Sequence, residues 1–156
     1  MKRAALLLVL LSACGEDTSS SLTSTSALPA AALSLTVETS PVTTTADPLM
    51  PLMAQWRVGL RNDGGVAARI SFVNSTLRDA QSGAQARPRG ALSLGADEVI
   101  ALAGSDRLPA GGALTVPCSL SFLLPSGGRE AVLTVAVQIL DDNNHLVSAT
   151  AETRVR

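Results

Sequence analysis

The chain has no tyrosine, one tryptophan and two phenylalanines in 156 residues. All three aromatics, Trp56, Phe72 and Phe122, fall in the inward phase of alternating segments, so no aromatic platform is left over for a sugar ring. Histidine is nearly absent as well. A Ser-His-Asp hydrolase would have to use His145, which follows a polar turn, and no serine sits in the glycine pattern of a nucleophile elbow. No catalytic residue is expected and the chain does not read as an enzyme. Lysine occurs only at Lys2. No apolar run reaches the roughly 20 residues of a membrane-spanning helix.

What is present begins at the N-terminus. Lys2 and Arg3 precede an apolar run, Ala4 to Leu11, and then Leu11-Ser12-Ala13-Cys14 followed by Gly15-Glu16-Asp17. A positive head, a short hydrophobic run and small residues are the parts of an export signal. A plain signal does not account for the cysteine. Leu11-Ser12-Ala13-Cys14 resembles the lipobox of bacterial lipoproteins. That resemblance implies cleavage after Ala13, with Leu11, Ser12 and Ala13 as the peptidase recognition residues, and a diacylglycerol on the Cys14 thiol. It implies no cofactor beyond this covalent lipid. Two acyl chains anchor stably because each buried methylene contributes about 0.8 kcal/mol. Gly15 stands where aspartate would favour inner-membrane retention, so the resemblance favours the outer membrane of a cell envelope, with its periplasmic or surface face left open.

Loss of residues 1–13 removes Lys2 and Arg3 and leaves ten arginines against 13 acids, a net of −3. A weakly acidic chain without a basic cluster argues against nucleic acid and against electrostatic docking on anionic lipid. With Cys14 lipidated, Cys118 has no partner in the chain. An exposed thiol is a liability on an oxidising export route, so Cys118 is expected to be buried.

Residues 18–26 read TSSSLTSTS, eight hydroxyl side chains in nine. Such a segment has too little apolar surface to offset the entropy of ordering. Residues 14–31 are therefore expected to be a flexible spacer carrying the lipidated cysteine, and 32–156 a folded domain.

From Leu33 onward apolar residues alternate with polar ones, the period of half-buried strands. Leu33, Leu35 and Val37 form one inward set; Trp56, Val58 and Leu60 a second; Val66, Ala68, Ile70 and Phe72 a third. Leu77 marks a short strand, and Leu92, Leu94 and Val99 to Leu102 give weaker ones. Leu114, Val116, Cys118, Leu120, Phe122 and Leu124 make the clearest inward set. Pro117 within it has no backbone donor, which places that strand at an edge or a bulge. Leu133 to Ile139 and Val147 to Val155 complete the series. Turns are expected at Asn62–Gly65, Pro109–Gly112 and Asp141–Asn144, and no segment after the signal shows a sustained helical period.

Seven or eight such strands predict an all-β antiparallel sandwich. The alternation and the closing stretch VQILDDNNHLVSATAETRV resemble bacterial immunoglobulin-like or fibronectin-type sandwiches. The chain departs from them in having no paired disulfide and no tyrosine corner.

Three stretches invite chemistry. Asp141, Asp142, Asn143 and Asn144 offer oxygens to calcium, but lack the glycine and the distal glutamate of a helix-loop-helix calcium site and fit a hairpin turn. Met50 and Met53 offer soft sulfur to cuprous ion, against the ordinary use of methionine as a gap filler. Asp97 and Glu98 are adjacent, so on a strand they would face opposite ways and make a poor acid/base pair. Two readings follow. The first is a membrane-anchored envelope lipoprotein whose sandwich binds an unidentified envelope protein, or supports assembly, through loops or a sheet edge. The alternative is a periplasmic metal- or small-ligand-binding lipoprotein.

Overall fold

The computed structural model describes residues 28–87 and 91–156. The expected signal segment, Cys14 and most of the spacer lie outside these residues, as do residues 88–90. The elements run β1 (Leu33–Thr39), β2 (Thr43–Thr44), β3 (Leu52–Asn62), β4 (Ala68–Asp79), β5 (Ala91–Gly95), α1 (Ala96–Ala103), β6 (Arg107–Leu108), β7 (Ala113–Phe122), β8 (Ala131–Asp141) and β9 (Leu146–Val155). Every ladder between them is antiparallel.

One sheet places β3 between β7 on one side and β1 with β2 on the other; the second has the order β5-β4-β8-β9, with β6 against β4. This is an antiparallel β-sandwich with immunoglobulin-like strand order. The chain passes from one sheet to the other at β3–β4, between β5 and β7 through α1, and at β7–β8.

Alternation decides which side chains meet between the sheets. In β3, Leu52, Ala54, Trp56, Val58 and Leu60 are buried while Gln55, Arg57 and Arg61 face solvent. Opposite them β8 buries Leu133, Val135, Val137 and Ile139. In β7 the inward set from Val116 to Phe122 is buried, Cys118 included. The β7 ladder runs only to β3, so Pro117 sits on an edge strand, where its missing donor breaks no second ladder.

The structure corrects the sequence reading in three places. Val99 to Leu102 is not a strand but part of α1. Glu98 Oε2 accepts from the Gly95 N–H at 2.9 Å, and acids at Asp97 and Glu98 suit the positive end of a helix. Gly104 stops the helix at φ 81°, its N–H donating to Ile100 O at 2.8 Å. Only two turns long, the helix buries Val99 alone, too little to leave a helical period in the sequence. Secondly, Leu77 does not lie in a separate short strand, because β4 runs unbroken to Asp79. Thirdly, Phe72 is not inward. The β4–β8 register shifts between Ile70 and Phe72, so Ser71 is an extra residue. This bulge moves the inward phase from Ala68 and Ile70 to Val73, Ser75 and Leu77, and turns Phe72 outward, 36% exposed.

Among the described residues, both sides of the sandwich are partly covered. On one side β1 and β9 run alongside each other, and Val42 N–H donates to Arg156 O at 3.0 Å. On the other, α1 packs across β4, β5 and β7. What remains accessible is the two outer sheet faces and the two ends.

Candidate functional site

Three buried polar residues organise the two ends. Asn62, Asp79 and Asp141 each occupy the last inward position of a strand, where the alternating run meets a loop. A buried polar group there must be hydrogen-bonded, and each is bonded to the backbone of several loops.

At one end, Asn62 Oδ1 accepts from the N–H groups of Ala32 (3.1 Å) and Gly64 (3.0 Å), and its Nδ2 donates to Val66 O at 2.7 Å. Asp141 Oδ1 accepts from Asn143 N–H (2.9 Å) and His145 N–H (2.8 Å). Its Oδ2 accepts from Ala31 N–H at 3.2 Å and lies 3.1 Å from His145 Nδ1. Asn143 Nδ2 donates to Pro29 O at 2.8 Å, and Gly64 has no room for a Cβ because Ala30, Ala31 and Ala32 lie against it. Residues 29–31, which composition assigns to the spacer, are thus fastened to this end together with Ala32, where the chain joins the sandwich. Burial pushes the Asp141 carboxyl up, but the N–H donors of His145, Ala31 and Asn143 and the His145 ring more than reverse this, and it titrates below the usual carboxylate range.

The same bonds bear on the candidate calcium ligands. Asp141 has its acceptor positions filled by protein N–H groups, and Asp142 pairs with Arg107 at 2.5 Å. Asn143 donates away from the turn, to Pro29, and Asn144 takes the left-handed conformation at φ 63°. The stretch is built as a hairpin turn. Among the described residues no three His, Cys, Asp or Glu side chains converge on one point. Met53 lies on the outer face of β3, across from Thr43 and Ser121, and Met50 in the preceding turn. Both are at the end of the sandwich opposite His145, so the structure does not bring the sulfur atoms and the imidazole together. Asp97 and Glu98 are occupied by α1, and burial raises the Cys118 thiol to about 11.

At the far end, Asp79 Oδ1 accepts from Gln81 N–H (2.8 Å) and Ser82 N–H (3.3 Å), and Oδ2 from Ser126 N–H at 2.7 Å. It thereby ties the β4–β5 loop to the β7–β8 loop. Hydrogen bonding from Ser126 leads the causes that hold this carboxyl far below its ordinary range, against the opposing effect of burial. Arg87 and Leu123 exchange backbone hydrogen bonds beside this clamp, and both side chains are exposed. The 45–50 turn emerges next to them, because Leu52 pairs with Phe122.

On the outer face of the β1–β3–β7 sheet lies an open depression of about 550 Å³. Glu38, Gln55, Arg57, Pro117 and Ser119 line it, with Leu102 of α1. It holds charges of both signs but no nucleophile with an adjacent base.

Sequence reasoning missed Asn62 and Asp79. The signal was available: each ends an apolar inward series with a polar residue in the same phase. The distal pairing of Arg87 with Leu123 leaves no mark in the sequence.

No protein family and no curated protein matches the chain. Solved structures do. Structural-genomics target SoR45 superposes with a TM-score of 0.60 at 11% identity, covering 79% of this chain and 84% of its own. A putative ApaA protein from Bordetella pertussis gives 0.50 at 14% identity, over 81% and 93%. At such identities the likeness is one of fold. It adds no residue to the site.

Proposed function

We propose that the protein is a membrane-anchored envelope lipoprotein whose β-sandwich is a non-catalytic module that binds another envelope protein or supports assembly. The lipid would sit on Cys14, after Leu11-Ser12-Ala13, and the outer membrane is the favoured location. The observation that supports this reading best is the fastening of residues 29–32 by Asn62 and Asp141. The chain enters the sandwich at this end, about 15 residues after the proposed anchor, so the opposite end is the one free of the spacer. Spacer reach at about 3.3–3.6 Å per residue allows a separation of up to roughly 50 Å. Binding through a sheet edge, one of the two modes open to such a module, is disfavoured by Pro117 in β7 and by the covering of the other edges, which leaves the loops and outer faces.

Metabolic labelling with a radioactive fatty acid tests the anchor. Label in the wild-type protein that is lost in Cys14→Ser, together with release of the variant from the membrane fraction, is the expected result. Equal partition of both proteins would overturn it. The depression beside Arg57 supports small-ligand binding as a second reading. A thermal shift in the soluble domain that Arg57→Ala abolishes would favour that alternative.

A further inference from the structure

We infer that the end of the sandwich remote from residues 29–32 is the docking surface, and that its partner is a protein segment rich in carboxylates. The inference deepens the protein-binding reading above and rests on it.

The charges of the two ends are arranged differently. Around Asn62 and Asp141 every exposed arginine is already paired: Arg61 with Asp63, Arg69 with Asp106, Arg107 with Asp142. At the remote end Arg87, Arg129, Arg154 and Arg156 are exposed and none is ion-paired among the described residues. The topology gathers them. Arg154 lies across from Val132, one row from the Asp79–Ala131 pair that closes β4 and β8. Arg129 belongs to the β7–β8 loop that Asp79 clamps through Ser126, and Arg87 is bridged to Leu123 at the start of that loop. Arg156 receives Val42 N–H where the 40–51 segment begins.

Exposed leucines lie among these arginines. Leu123 is 37% exposed and is the cross-strand partner of Arg87; Leu49, at the tip of the adjacent turn, is 73% exposed. Arginine beside apolar side chains is the composition of a protein interface. These four guanidiniums outnumber the two exposed carboxylates that share this end, Asp47 and Glu130, which leaves a positive field for an acidic segment. Guanidinium forks over a partly apolar surface suit carboxylates at short range, where paired N–H donors fix geometry. The loops that carry them are held by the Asp79 carboxylate, so part of the ordering that binding requires is already present in the free protein.

The test uses the full-length protein in its own cells, with a photoreactive phenylalanine replacing Leu123, or Leu49, or, at the anchored end, the 63% exposed Leu146. Cross-linked peptides are identified by mass spectrometry. The inference predicts one protein adduct from Leu123 and Leu49, none from Leu146, with the attached peptide rich in aspartate and glutamate. In vitro, Arg87→Glu and Arg129→Glu should each weaken binding to that peptide at least tenfold without lowering the melting temperature, since neither side chain is ion-paired among the described residues. An adduct from Leu146 alone would overturn the remote-end assignment and leave protein binding standing. Adducts from no position would remove both. An attached peptide without acids, or affinity indifferent to the two charge reversals, would overturn the partner chemistry.

Discussion

The two ends of the sandwich are closed by the same device and differ in what surrounds it. At each, a carboxylate in the last inward position collects backbone N–H groups from neighbouring loops: Asp141 from Ala31, Asn143 and His145, Asp79 from Gln81, Ser82 and Ser126. At the Asp141 end, Asn62 joins the clamp, residues 29–32 are bound into it and the surface arginines are neutralised locally. At the Asp79 end the clamp holds loops alone, and four exposed arginines form no ion pair among the described residues. One structural element, a buried carboxylate at a strand end, is thus used twice to order loops at opposite ends of the sandwich.

β4 runs between the two ends and gives the largest contrast. Leu77, fully buried toward the Asp79 end, should lose about 3 kcal/mol when truncated to alanine, through lost burial and the cavity left behind. Phe72, turned out by the bulge toward the other end, should lose no more than about 1 kcal/mol in Phe72→Ala. Urea unfolding of both variants measures the difference. A loss at Phe72 equal to that at Leu77 would mean that the register shift is misplaced.

Next in size is Asn62→Ala, which strands Ala32 N–H, Gly64 N–H and Val66 O near the protein interior. About 2–3 kcal/mol is expected from unsatisfied backbone groups. Hydrogen exchange should rise at Ala31 and Ala32 while the amides of Gln81 and Ser82 stay protected. Gly64→Ala should produce the same local release, because a Cβ there displaces residues 30–32.

The two carboxylates set the acid dependence. Both have folded-state pKa values below those of the unfolded chain, so their stabilisation is complete above the unfolded carboxylate range and is lost as pH falls. Asp79→Asn and Asp141→Asn should each be less stable than wild type near neutrality, and the deficit should shrink on acidification below about pH 4. Asp79 is shifted further, so its variant should converge on wild type at the lower pH. Chemical denaturation at several pH values reads this directly.

The smallest effect concerns Cys118. Its thiol ionises at about 11 in the fold against 9.0 in the unfolded chain, so the unfolded state loses its proton first and stability falls as pH rises through that interval. A disulfide reagent at pH 8 should label the native protein much more slowly than the denatured one, since burial leaves the thiol protonated and shielded. Equal rates would place Cys118 outside the core.

Most of the sandwich was legible because strand alternation is strict. The inward series in β3, β7 and β8 can be read residue by residue, and the turns carry glycine or asparagine where the backbone needs them. The failures have local causes. The Ser71 bulge reverses the phase within one continuous strand, and nothing in Ile70-Ser71-Phe72 announces it. Helix α1 is eight residues long and depends on caps at Gly95 and Gly104 more than on an apolar face. The clamps were half legible. Asp141 was noticed as a source of oxygens, but its position as the last inward residue of β8 identifies it as an acceptor for the backbone. The grouping of Arg87, Leu123 and Arg129 was not legible at all, since it is made by loops that only the folded topology brings together.

An anchor at Cys14, with the sandwich fastened behind it, is the central proposal. Intact mass of the mature protein, extracted from membranes in detergent, tests this most directly. A chain that begins at Cys14 and carries the added mass of a diacylglycerol, absent in Cys14→Ser, is the predicted result. An unmodified cysteine, or a mature protein recovered wholly from the soluble fraction, would contradict it.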